Sequence, residues 1–567
     1  MRGSGGGSIR ITEDHQRTGR KLKTDNEKEA GMREVWKDKI VPPPPGVMHS
    51  DTVDELDELF ERSAEFFKPF DTADFSRLDI DCPYSKPITP LDVYNTICSF
   101  PLKAPGEDGI TRLHLIHLPK IVYVNLAHIF SASLALGYYP SKMKNAIMVF
   151  IPKPRKPSCD PSSYRPISLL SVVGKIYGKI LTRRLTLFLE NNDKNHPHQY
   201  GFVRNRGTLS SLAMLYEFIS RQKTATYEAR LSLVLRDIKG AFDRLDHRRV
   251  KYHLKEVGIP PVLCKALSCF LDGRTARVRV GDVTGASFPL LAGTPQGAGP
   301  SAKLYTMVTR EAPIGKDINH YYASYADDCF QAVVTGGGNI KYHEKQLVRA
   351  IKIQDEFESR EGLISEPSKS YIIPIGSDIC PDVTVGGHRY KVPKKATLLG
   401  HDITKRSMTG AQVNKQVLKA RNALLSLHRF GSMRKKFKIQ LIKTLVLPHL
   451  FYPTVPLHLA RKPQMKKLQT VQNLALRWAF GIKWDQFISN KKLHNNFKPI
   501  FMPVNQTLYW RAKALWDKIR NDNAGDVKFL GKILDIELTR DYGRKEWKKF
   551  PSSYHAVSKG EPAPFYG

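Results

Sequence analysis

The stretch "INHYYASYADDCFQAVV", residues 318–334, constrains the fold more than any other. Its aromatic and β-branched residues read as two strands, interrupted by Asp327 and Asp328. A tight turn there lets both strands bury their flanks while the carboxylates stay at the end of a sheet. A second run, "ARLSLVLRDI", alternates Leu231, Leu233 and Leu235 and predicts a strand ending at Asp237. Laid beside the hairpin, it brings a third carboxylate to the same end. Three such groups repel one another unless cations hold them. Hard divalent ions fit, and Mg²⁺ favours one or two carboxylates plus substrate phosphates. Two such ions about 3.5–4 Å apart suit in-line phosphoryl transfer. Taken alone, adjacent aspartates read more readily as a solvated turn or a helix cap.

Charge narrows the partner. The 567 residues hold 89 Lys and Arg against 54 Asp and Glu, a net +35, which points to a polyanion such as nucleic acid. At 41% hydrophobic the chain is not a disordered basic tail, and its length predicts two to four domains. From Ile403 to Trp484 no Asp or Glu occurs, while 17 Lys and Arg do. A solvated face ordinarily mixes signs, so a bound polyanion is the natural offset. The clusters Arg434, Lys435, Lys436, Lys438 and Arg461, Lys462, Lys466, Lys467 are the candidate nucleic-acid contacts. The seven cysteines form no CxxC pair, which argues against structural zinc and for a reducing compartment. The run "IVYVNLAHIFSASLALGYY" carries Asn125, His128, Ser131 and Ser133, so it predicts a buried helix and no membrane partner.

Along the chain, "MRGSGGGS" (1–8) reads as a tag or linker. A charged stretch and the stiff "VPPPPG" follow, then "DTVDELDELFERSAEFF" with helical spacing. Helical patterns run through 90–140, a strand covers "NAIMVFIPKP", and a helix covers much of "LLSVVGKIYGKILTRRLTLFLE". "RVKYHLKEVGIP" and "VLCKALSCFLDG" read as short helices. "TARVRVGDVTGASFPLLAG" reads as a hairpin turning at Gly281–Asp282. After about residue 405 the pattern is mainly helical.

The blocks "LRDIKGAFDRLDH", "GTPQGAGPSAKLY" and "YADD", in that order, resemble the reverse transcriptase of non-LTR (LINE-type) retrotransposons. "KAPGEDGI", "FIPKPRKPSCDPSSYRPISLL", "HQYGFVRNRGT" and "LLGHDI" agree, and "LPHLFYPTVPLHLA" with "LQTVQNLALRWAFG" resembles jockey-like elements. The resemblance runs from Ser85 to about residue 520. It implies an α+β, right-hand polymerase fold. Its divisions are a basic N-terminal extension (9–84), fingers (85–225), a catalytic palm with an antiparallel sheet (226–395), primer grip and helical thumb (396–485), and a C-terminal helical segment (486–567).

The same resemblance implies the roles. Asp237, Asp327 and Asp328, with the Ile238 carbonyl, hold two Mg²⁺ ions, for which Mn²⁺ can substitute. Phe242 excludes the sugar 2′-hydroxyl. Lys153 and Arg165 hold the triphosphate, Gln296 and Gly297 lie against the nascent base pair, and Lys369 protonates pyrophosphate. The implied partners are an RNA template, a DNA primer or target, dNTPs and an endonuclease region of the same polyprotein. Target-primed work in the nucleus follows, with a cytoplasmic ribonucleoprotein stage. Two residues depart from the family pattern: Arg236, where an apolar residue is usual, and Lys303, in a normally apolar string. The alternatives are an RNA-packaging module that keeps the polymerase fold without catalysis, and a polymerase that makes RNA or matures introns.

Overall fold

The computed structural model describes residues 24–39 and 77–522 apart from 155, 158, 226–228, 315–318, 338, 406–408, 458–459, 483–485, 487, 491 and 494–501. The expected linker at 1–8, the proline break and the acidic helix of 51–67 lie outside the described residues.

Two four-stranded sheets position everything else. The first has the order β2-β1-β4-β5: β1 is Asn145–Pro152, β2 Tyr164–Leu170, β4 Thr275–Val280 and β5 Val283–Pro289. β1 runs antiparallel to β2 and parallel to β4. The hairpin β4–β5 turns at Gly281, in the left-handed conformation expected of that turn. The helix Asp25–Lys39 lies on β4 and β5. It buries Met32 and Trp36 among Ala146, Phe150, Val278 and Phe288. Residues of the N-terminal extension thus close a core whose strands come from 145–289.

The second sheet has the order β6-β7-β3-β8: β3 is Arg230–Asp237, β6 His320–Tyr325, β7 Asp328–Thr335 and β8 Tyr371–Pro374. All its pairings are antiparallel. The alternation of Leu231, Leu233 and Leu235 predicts one buried face, but β3 is central and buried on both. The leucines face one core with Phe330 and Ile373. Val234 faces the other, under the helix Ile340–Arg360 with Leu347 and Ile351. Ser232 is accepted there because its hydroxyl meets His343 Nε2 at 2.9 Å.

Arg236 is explained by the same alternation. Its side chain points to the face opposite its neighbour Asp237 and is fully buried. One guanidinium nitrogen donates to Asp355 at 2.5 Å and to Glu358 at 2.7 Å. Burial opposes its charge, and Glu358, Tyr390 and Asp355 more than restore it. Lys303 is buried as well; its pKa is lowered by burial, partly offset by Glu190, and its ammonium has no hydrogen-bond partner among the described residues.

A helical core joins the two sheets, from Pro90–Cys98, Lys120–Ala135, Val172–Asn191, His247–Glu256, Pro261–Leu271 and Gly299–Val308. Within the apolar run at 121–139 the helix Lys120–Ala135 buries one face, with Phe130 stacked on Tyr177 at 5.0 Å, and leaves Ile121 and Ile129 exposed on the other. Among the described residues no helix is long and apolar enough to cross a membrane. Two small hairpins follow, β9–β10 (Thr384–Val385, His388–Arg389) and β11–β12 (Lys395–Leu398, His401–Thr404). The helices Gly410–Leu427, Lys435–Leu441, Lys462–Ala479 and Val504–Asp522 then share a separate core from Val413 to Leu508.

Replacing Arg236 by Met leaves Glu358 buried without its cation. The expected loss is about 3–5 kcal/mol of unfolding free energy at neutral pH, partly recovered by adding Glu358→Gln. Urea denaturation of the single and double variants measures it, and an unchanged midpoint for the single variant contradicts the reading.

Candidate active site

The second sheet does what the sequence requires of it. β3 pairs with β7 so that Asp237 stands opposite Asp328, and β6 pairs with β7 so that Tyr325 also faces Asp328. Ala326 and Asp327 form the turn, with Ala326 in the left-handed region at φ 57°. Burial raises the Asp327 pKa, and the Asp237 charge adds to it. For Asp328, partial burial and the charges of Asp327 and Asp237 push the value up to about 6. The three acids therefore gather at one sheet end and feel one another.

They do not form a ready cage. Among the described residues no three His, Cys, Asp or Glu side chains are set to hold a metal ion. Two physical reasons are at hand. Adjacent residues such as Asp327 and Asp328 project differently from a strand end, and Lys369 sits on Asp237, Nζ to Oδ2, at 3.0 Å. The donor set still fits a hard divalent cation that completes its shell from phosphate oxygens and water. At Ile238, whose carbonyl the resemblance adds to the donors, the bridge to Ser365 uses the Asp237 carbonyl and the Lys239 amide and leaves the Ile238 carbonyl outside it.

One cation, Lys369, contacts these acids, and two more, Lys153 and Arg165, stand close to it. Arg165 lies on β2, exposed and opposite Ile151 of β1. Lys153 follows β1, and its amide donates to the Ser163 carbonyl at 2.7 Å. Burial lowers the Lys153 pKa, and the charges of Lys369 and Arg165 lower it further. Lys153 thus lies close to both Arg165 and Lys369, the lysine on Asp237, with Asp160 and Asp243 offsetting part of the repulsion.

The "TPQG" loop closes the site. Gln296 Nε2 donates to Asp243 Oδ1 at 2.8 Å, and the Gln296 carbonyl accepts from the Ser168 amide at 3.2 Å. Gly297, at φ 116°, adopts a conformation side chains resist. With Pro166, Ser168, Asp243 and Thr294, Gln296 lines a small cleft between the loop and the first sheet. Phe242 is half-buried, its ring 5.1 Å from Tyr305 and 6.1 Å from Phe202. Its carbonyl accepts from the Thr294 amide at 2.7 Å, which ties it to the same loop. Asp243 was not among the residues singled out from sequence, although "AFD" within "LRDIKGAFDRLDH" carried it. Gln199 was also missed: its side chain grips the Ala326 backbone.

The basic clusters of the C-terminal core are exposed except for half-buried Lys438, and they stand apart from each other. Lys435 and Lys438 lie 5.0 Å from the Phe480 ring and 5.5 Å from the Trp478 ring, at one end of the helix Lys462–Ala479. Arg461, Lys462, Lys466 and Lys467 mark the other end, roughly 27 Å away along an 18-residue helix. Lys415, in the same acid-free stretch, is taken by buried Asp402 at 2.6 Å.

The raised carboxylates imply a pH dependence. Asp328 titrates near 3.8 when unfolded and at about 6 when folded. Below the lower value both states hold the proton. As pH rises toward 6 the unfolded chain releases it first, so the charge destabilises the fold, fully so above about 6. Asp328→Asn should therefore raise the melting temperature more at pH 8 than at pH 5, in the presence of a chelator. An equal shift at both values contradicts this electrostatic account.

Residues 151–403 match the family of reverse transcriptases (RNA-dependent DNA polymerases). The chain is 26% identical over 475 residues to a Drosophila melanogaster protein described as "Probable RNA-directed DNA polymerase from transposon X-element", covering 78% of this chain and 50% of the relative. It is 28% identical over 412 residues to the RNA-directed DNA polymerase from mobile element jockey of Drosophila melanogaster, covering 70% and 44%. The chain thus spans about half the length of these relatives. Among solved structures, a telomerase from Candida Tropicalis with a fragment of telomeric RNA overlaps at TM-score 0.39 and 12% identity, over 72% of this chain and 66% of that one. Around its paired aspartates, over residues 151–403, the chain is similar to the reverse transcriptases, and its relatives include polymerases of the mobile element jockey and the transposon X-element.

Proposed function

We propose that the chain is the RNA-directed DNA polymerase of a non-LTR retrotransposon, copying element RNA into DNA from a DNA primer end. One observation carries the reading: three carboxylates gather at one sheet end with Lys369 on Asp237 and with Lys153 and Arg165 close to Lys369, charges of both signs that metal ions and a triphosphate would complement.

Asp237, Asp327 and Asp328, with the Ile238 carbonyl, are the ligands for Mg²⁺, or Mn²⁺ in its place. When bound, the ions supply activation of the primer hydroxyl and charge neutralisation at the leaving pyrophosphate. Lys153 and Arg165 hold the triphosphate, Arg165 through its planar fork. Lys369, already in contact with Asp237, gives a proton to pyrophosphate. Phe242, held on one side by Tyr305 and Phe202, offers its remaining edge against a ribose 2′-hydroxyl. Gln296 and Gly297 lie under the nascent base pair.

In this reading the second sheet is the palm, the first sheet with its helices supplies the fingers, and the helices after 410 form the thumb. The basic clusters at 434–438 and 461–467 grip the template–primer hybrid at two points through phosphates, which position without reading sequence. Target-primed synthesis in the nucleus, a cytoplasmic ribonucleoprotein stage and an endonuclease region of the same polyprotein complete the proposal.

A paired experiment tests it. Asp237→Ala or Asp327→Ala should reduce single-nucleotide addition more than about 100-fold, a barrier increase of ~2.7 kcal/mol, with hybrid binding intact. Replacing Arg434, Lys435, Lys436 and Lys438 together by Gln should do the reverse. Addition of one nucleotide persists, while the log–log salt slope of hybrid affinity flattens by about one unit per lost contact. If the aspartate variants still extend primers, the active-site assignment fails and a packaging module becomes the better account. If the salt slope is unchanged, the thumb assignment fails.

A further inference from the structure

We propose that Gln199 is a positioning residue for the catalytic turn, holding the Ala326 peptide so that Asp327 and Asp328 leave the sheet in the geometry the reaction needs. The inference rests on the polymerase reading of those aspartates.

The turn has a conformational problem. Ala326 stands at φ 57°, a region L-residues avoid because Cβ crowds the following carbonyl. Glycine visits it freely, and Asn or Asp can bond locally to stay there, but alanine has neither means. The residue just before two functional aspartates is therefore strained, and strain of this kind persists only where the surroundings over-determine it.

Here a single side chain makes the polar contacts, beside the closely packed Gly201 backbone. Gln199 is buried to 1% exposure. Its Oε1 accepts the Ala326 amide at 3.0 Å and the Gly201 amide at 2.8 Å, and its Nε2 donates to the Ala326 carbonyl at 3.4 Å. A primary amide thus meets both polar groups of the strained peptide, as a neighbouring strand would. The backbone around Gln199 is fixed in turn. The Tyr200 amide donates to the Ser324 carbonyl at 2.8 Å, and the Ser324 amide donates to His198 at 3.0 Å. Residues 198–200 therefore extend the sheet beyond β6. His198 Nδ1 lies 2.8 Å from the Tyr322 carbonyl, which ties the segment to the same strand. Gly201 completes the fit, since any Cβ there would collide with the Ala326 backbone.

Gln199 touches no aspartate side chain in these contacts, so its effect is transmitted through Ala326. Removing the clamp frees the turn to relax to an ordinary conformation and rotates the next two residues away. The fold keeps its sheet, because the bridge between 198–200 and β6 is made by backbone groups.

Gln199→Met keeps the volume and removes all three bonds. In the full chain it should lower the rate constant of single-nucleotide addition about tenfold or more at saturating dNTP, with hybrid affinity within about twofold of wild type. Hydrogen–deuterium exchange of the peptide spanning 325–328 should quicken, whether or not the enzyme is active. Adding Ala326→Gly, which removes the steric reason for the clamp, should recover at least about threefold of the lost rate. Gln199→Glu keeps the accepted bonds and loses only the donated one; if Gln199→Met does not fold, turn exchange faster in Gln199→Glu than in wild type supports the clamp and unchanged exchange overturns it. Wild-type exchange in the turn, or a folded variant whose lost rate Ala326→Gly leaves unrelieved, overturns the proposal. Failure of the polymerase reading itself is seen separately, as activity surviving in Asp327→Ala, while turn exchange still reports the clamp.

Discussion

The pairing of Asp237 with Asp328 across β3 and β7 is the constraint on which the site depends. It puts two carboxylates side by side, and the turn adds Asp327 beside them. A sheet tolerates this only if its register cannot slip, because a shift of one residue turns every side chain to the other face. Here both faces of β3 are buried: the leucines on one, Val234 and the Arg236–Glu358 pair on the other. A slipped register would drive Arg236 out of its acids and the leucines into them. The core thus enforces a cluster that electrostatics opposes.

The opposition is visible on both sides of the cleft. The carboxylates of Asp327 and Asp328 are held above their ordinary range, and Lys153 below its own. Lys369 on Asp237 offsets part of the repulsion. Sites of this kind are poised for ligands carrying the complementary charges, and a divalent cation with a polyphosphate carries both. The cost falls on stability, which is why neutralising an active-site acid should strengthen the fold.

Much of this was legible in the sequence because the signals are local. The "YADD" hairpin, the strand ending at Asp237, the turn at Gly281–Asp282 and a helix within 121–139 all follow from pattern and turn chemistry, and all are found, though that helix buries only one face. What escaped notice depends on contacts distant in sequence. Arg236 looks like a misplaced charge until Asp355 and Glu358, more than a hundred residues on, are known to meet it. Gln199 lies 127 residues from Ala326; "HQYGF" marked the segment, and its glycine hinted at a close approach, but not to what. The convergence of three acids was foreseen, yet the lysine on Asp237 was not, because ion pairs leave no periodic trace. Division by sequence range also differs from division by core. The first sheet takes strands from the fingers and palm ranges, and Val504 and Leu508 pack with the helices before 485.

The central claim is templated DNA synthesis at the paired aspartates. Primer extension by the wild-type chain on homopolymeric RNA and DNA templates, with dNTPs and then rNTPs and a divalent cation present, tests it most directly. The account predicts extension of a DNA primer on RNA with the complementary dNTP and strong discrimination against the rNTP. Absence of extension on RNA, or equal use of rNTPs, would contradict it.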